Sequence, residues 1–134
     1  MGLPTDLVLV KALSLARGRL TADGNGTGVD CSKLDGKGCL LVDVANVSGT
    51  TPTCDGHAEH SSDDGVADAY ATMKTPAAVD AAITQVTTVA GIQKIPIDWS
   101  AAKAFVRWVD DVSGTSPVYD RNVKALGYQK SSTA

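Results

Sequence analysis

Three groups of side chains in this sequence have the types and proximity that chemistry requires. The first is Cys54, His57 and His60, with Asp55 and Glu59 between them. Thiolate and imidazole are good zinc ligands. Their spacing matches no paired zinc motif, however, and an extended chain sends His57 and His60 to opposite faces. They read as solvated or locally bonded residues of a polar loop rather than as a metal site. The second group, Asp23-x-Asn25-x-Thr27-Gly28, opens like a calcium-binding loop. Such a loop needs a bidentate Glu at its twelfth position, and here that position is Leu34, so a glycine-rich turn is expected. The third is Asp63, Asp64 and Asp68. General acid–base work needs a cleft and carboxylates with divergent pKa values, so charged turn residues are the simpler reading. A Ser/His/Asp set has no Gly-x-Ser-x-Gly elbow to support it, and Asp23-Gly24-Asn25-Gly26-Thr27-Gly28 lacks the Lys of a phosphate loop. Asn25-Gly26-Thr27 and Asn46-Val47-Ser48 match the glycosylation pattern, which matters only in a secreted protein. No residue is assigned to catalysis, a cofactor or a metal, and the expectation is a protein that is not an enzyme.

The elements that position these residues are short and closely punctuated. The chain has 134 residues, 43% hydrophobic and 4% aromatic, with 12 Lys plus Arg against 15 Asp plus Glu. The length suits one β-domain over 1–134, with 1–5 and 129–134 as flexible arms. A net charge of -3 disfavours a duplex-binding protein, whose affinity rests on clustered cations. No apolar run approaches the ~20 residues of a membrane helix, and the N-terminus lacks the pattern of a signal peptide. Cys31, Cys39 and Cys54 are odd in number and form no CxxC pair, which favours free, partly buried thiols over a single bridge or an intermolecular bond.

Turn signals recur at Asp23-Gly24, Asp35-Gly36, Ser48-Gly49, Asp55-Gly56, Asp64-Gly65 and Ser113-Gly114. Short strands separated by such turns point to an all-β fold, a small β-sandwich or jelly-roll-like barrel with at most one short helix. In Phe105–Val109, Val106 and Trp108 share one face while Phe105, Arg107 and Val109 share the other, which suggests a central strand. Cys39–Val44 is nearly all apolar and reads as buried on both sides. Ile92–Trp99 aligns Ile95, Ile97 and Trp99, with Pro96 marking an edge or a bulge. Asp6–Ala16 reads as a strand, although a helix of that length fits almost as well. Thr75-Pro76 opens an Ala-rich stretch that allows a short helix over Ala77–Gln85. The core is expected to contain Leu40, Val42, Ile95, Ile97, Val106, Trp108 and Val123, with Trp99 and Phe105 better explained as core than as sugar-stacking platforms. One internal echo stands out: Val-Ser-Gly-Thr-Thr-Pro at 47–52 and Val-Ser-Gly-Thr-Ser-Pro at 112–117. Two similar hairpins are its simplest account, and convergent turn usage is the alternative.

Four ordered segments carry a likeness to known proteins. They are Thr21–Asp30 followed by Leu34-Asp35-Gly36 and Leu40–Val44; Glu59–Gly65; Phe105–Val109 followed by Val112-Ser113-Gly114-Thr115; and Asn122–Gly127. Taken together they resemble a family of small structural, decoration-like proteins of tailed bacteriophages, with departures at Cys54, at His57 and after Asp64-Gly65. The resemblance implies a virion component on the capsid surface, made in the host cytoplasm. It implies the major capsid protein as partner, a homo-oligomer at local symmetry axes, and no nucleic acid, membrane or cofactor. Residues Met1–Thr5 would add a strand to a neighbour. Other virion positions (tail tube, head–tail connector or fibre-associated domain) and a surface carbohydrate- or receptor-binding module are the alternatives.

Overall fold

The computed structural model describes residues 10–87 and 90–129. It contains seven strands: β1 (Val10–Leu20), β2 (Gly24–Asn25), β3 (Val29–Asp30), β4 (Leu34–Ser61), β5 (Ala71–Thr72), β6 (Gly91–Asp98) and β7 (Phe105–Gln129). No helix occurs among the described residues, so the fold is all-β as the turn spacing suggests. Every strand belongs to one antiparallel sheet built around the long strands β4 and β7, which pair along almost their whole lengths. β1 and β6 flank one end of this ribbon, on β7 and β4 respectively, while β2 and β3 line β7 at the other end.

The ribbon does not run straight. Asp110 and Arg121 both lie on β7, and eleven residues of straight strand would hold them about 36 Å apart. Their side chains nevertheless meet at 3.0 Å, so the strand doubles back between them. The bend falls on the two echoing segments. Ser48, Thr50 and Thr53 face Val118, Thr115 and Ser113 through three register shifts. Asn46, Gly49, Thr51, Gly114 and Ser116 all have positive φ there. Gly49 and Gly114 have φ of 115° and 116°, and a Cβ on either would come within 2.7 Å of a carbonyl oxygen on the opposite strand. The echo is therefore not two hairpin turns. Its two copies pair with each other at mid-strand, Thr50 against Thr115, and the turn-type residues bend the sheet without ending it.

The pairing also repeats about that point. β1 lies beside the second half of β7, as the 82–86 stretch lies beside the second half of β4. β6 lies beside the first half of β4, as β2 and β3 lie beside the first half of β7. The two half-sheets thus have an approximate two-fold relation, and they enclose one core. Leu40, Val42, Ile95, Ile97, Val106, Trp108 and Val123 all lie in that core, together with Leu34, Met73, Trp99 and Tyr119. Alternation puts them there, because every second residue of a pleated strand shares a face.

Several expectations need correction. Cys39–Val44 is not buried on both sides: Leu41 is half-buried and Asp43 is exposed, so the run alternates despite its apolar composition. The Ala77–Gln85 stretch is not helical. Thr75 and Val79 close a tight turn with Ala78 at φ 61°, after which Ala81, Ile83 and Val86 pack inward from an extended segment beside β4. Burial of those alternate apolar residues outweighs local helix propensity. Phe105 is only partly covered. Among the described residues the first strand spans Val10–Leu20, so it runs past the expected end at Ala16, while its expected start at residues 6–9 lies outside them; Gln129, placed in the tail, still pairs with Leu34. The proposed arms at 1–5 and 130–134 lie outside the described residues. Pro96, by contrast, sits on a strand that pairs only with β4 among the described residues, where a missing N–H costs no ladder bond.

Candidate functional site

Each chemically promising group has a local structural use. Cys54, His57 and His60 lie on β4 rather than in a polar loop, and Cys54 is buried in the core opposite Val112. Burial and the nearby Asp110 and Asp55 charges push its thiol up to about 11, so it is protonated at neutral pH. His57 points from the outer face, its Nε2 at 3.1 Å from Glu59. His60 accepts the Lys103 backbone N–H on Nδ1 at 3.2 Å, and its pKa is held below the ordinary value by burial and by the Lys103 charge. The fold therefore separates the three residues, and among the described residues no three His, Cys, Asp or Glu converge to hold a metal. Cys31 and Cys39 are likewise free and buried, and burial and the Asp30 charge push Cys31 up to about 12.

Asp23 accepts the backbone N–H of Val112 at 2.6 Å, and Asn25 pairs with Val109, so the Asp23–Gly28 segment is an interrupted edge strand with Leu34 in the core behind it. The Asp63–Asp68 segment is a self-tied loop. Asp63 accepts the N–H groups of Val66, Ala67 and Asp68, while Asp68 accepts those of Ser62 and of the Lys103 ammonium. These bonds hold Asp63 below the carboxylate range and Asp68 down to about 2. Both act as ionised acceptors, the opposite of a general acid. Asp64 accepts the Tyr70 hydroxyl at 2.6 Å.

Two clusters that the fold assembles have no local signature in the sequence. Arg107 meets Glu59 at 2.6 Å and stacks over the Tyr70 ring at 4.2 Å from its centroid. Burial works against the Glu59 charge, but bonds from Arg107 and His57 outweigh it and keep the carboxyl ionised below its usual range. Inside, Arg121 pairs with Asp110, whose Oδ1 also accepts the Trp108 indole N–H at 2.9 Å. These partners are distant in sequence or share a strand that folds back, so spacing could not announce them.

Two of the shallow hollows on the described surface have charged linings. One, of about 510 Å³, is lined by Lys37, His60, Met73, Thr75 and Asp98 among others, and the Thr75 hydroxyl beside it has no partner among the described residues. The other, of about 470 Å³, lies among Gly26, Gly28, Asp64, Tyr70 and Arg107. Each mixes cation and carboxylate, so neither favours one sign of ligand charge.

The broader contrast lies between the two outer faces. On the layer of β1 and β6, the register sets Lys94, Leu41, Lys124 and Ser14 in one row, and Ile92, Asp43, Asn122 and Arg17 in the next. Val10, Ile92 and Tyr128 are 71%, 69% and 44% exposed on this layer. The layer carries Arg17, Arg19, Lys37, Lys94 and Lys124 against Asp35, Asp43, Asp98 and Asp120; with Arg19 bonded to Asp120 and Lys37 opposite Asp98, it is Lys94 and Lys124 around Leu41 that make its middle apolar and basic. On the other layer, Asp55 lies directly across from Asp111, and Glu59 across from Arg107. That layer is polar and acidic. An extended protein-contact surface fits this geometry better than a small-molecule cleft does.

No family model matches the chain, and no curated protein matches it. Among solved structures, the crystal structure of the SPBc2 prophage-derived protein YomS is similar, with a TM-score of 0.57 over 96% of this chain and 100% of that one. Sequence identity is 9%, so the likeness is one of fold.

Proposed function

We propose that this protein is a non-enzymatic structural component of a tailed-phage virion, acting as a decoration (cement) protein that bridges subunits of the major capsid protein. The observation that carries this reading is a fold shared, over 96% of this chain and 100% of the other, with a prophage-derived protein. The ordered motifs from Thr21 to Gly127 that resemble small phage structural proteins support it from the sequence side. The contrasting outer faces are suited to such work, since a cement protein holds by modest contacts multiplied over many copies. The test is the stoichiometry of this chain against the major capsid protein in purified particles. One copy per capsid subunit, or per few subunits, is the expected result. A handful of copies per particle transfers the protein to a connector, tail or fibre position, and absence from particles overturns the virion reading.

A further inference from the structure

We propose that copies of this chain associate head to tail, the apolar, basic outer layer of one copy docking on the acidic outer layer of the next. Two observations converge on a second copy as the occupant. The first is charge complementarity between faces of the same molecule. Lys94 and Lys124 flank Leu41 on one layer, with exposed Ile92 and Tyr128 near them. The opposite layer presents Asp55 and Asp111, while its Glu59 is already neutralised by Arg107.

The second is that Asp55 and Asp111 are direct cross-strand neighbours. Like charges in that register destabilise a sheet. Asp55 accepts one bond from the Gln85 amide, which brings no positive charge. A pair of lysines from another copy relieves this repulsion and covers apolar surface that is otherwise left in water. Contacts between unlike faces are heterologous, so they close into rings or continue as open stacks. Because the basic face is used by one neighbour and the acidic face by the other, the two can be disabled separately.

The experiment is sedimentation velocity on the full chain over a range of concentrations and salt. Self-association is expected, weakened about ten-fold or more at high salt because the matched charges are exposed. K94E/K124E and D55K/D111K should each be monomeric, and their equimolar mixture should associate again, through one native contact and one in which the charges are exchanged. Circular dichroism checks that the variants fold, and D55N/D111K replaces the second variant if it does not. A monomeric wild type at all concentrations overturns the proposal. So does assembly by K94E/K124E alone, or failure of the folded variants to pair on mixing. The outcome is separate from the virion reading, which copy number on particles decides.

Discussion

At the scale of single residues, the buried Arg121–Asp110 pair ties together two parts of one strand, and it does so almost without water: their side chains are 11% and 2% exposed. Replacing Arg121 by Met leaves the Asp110 carboxylate buried with only the Trp108 indole to satisfy it. The expected loss is about 3–5 kcal/mol in denaturant unfolding. The double change D110L/R121M should be less damaging than R121M alone, because no charge is then left unpaired. Asp68 makes a different prediction. Its folded pKa of about 2 lies below the ~3.9 of an unfolded aspartate, so its stabilising bonds are complete above that value and are lost as pH falls toward 2. Far-UV circular dichroism should show acid sensitivity opening in this window, and Asp68→Asn should flatten the curve there. None of these partnerships was legible beforehand. Lys103 reaches Asp68 across 35 positions and Arg107 reaches Glu59 across 48, distances at which spacing has no meaning until the chain is folded.

At the scale of elements, alternation was readable and curvature was not. The inward positions of β6 and the first part of β7 follow from their apolar residues, and Pro96 marks a strand with one partner among the described residues. The bend escaped because glycine and threonine clusters serve hairpin turns and mid-strand bulges alike, and the choice is made by which strand arrives opposite. The same ambiguity misplaced the Ala77–Gln85 stretch, whose alanines suit a helix in isolation but whose Ala81, Ile83 and Val86 fill the core when extended. The bend makes its own prediction. Gly49→Ala and Gly114→Ala force a side chain into positive φ against a carbonyl oxygen, and each should cost about 1–3 kcal/mol, read as a lowered melting temperature. Similar losses at both positions are expected, since their φ values and surroundings match.

For the whole molecule, the folded-over sheet means that neither layer has a core of its own. Trp108 packs from one half-sheet, and Trp99 bonds to the Leu126 carbonyl on the other. Tryptophan fluorescence and far-UV circular dichroism should therefore report one coincident unfolding transition, and separated transitions would show that the halves are independent. The approximate two-fold relation between those halves also bears on shape. Two identical chains around a two-fold axis must show the same surface on the two faces that the axis exchanges, so across those faces such a dimer has no front or back. Here both halves belong to one polypeptide and each can vary alone, so a framework with the symmetry of a dimer has acquired polarity. A stack made through these two faces therefore has a direction, which a true dimer of this architecture could not give it across the same faces.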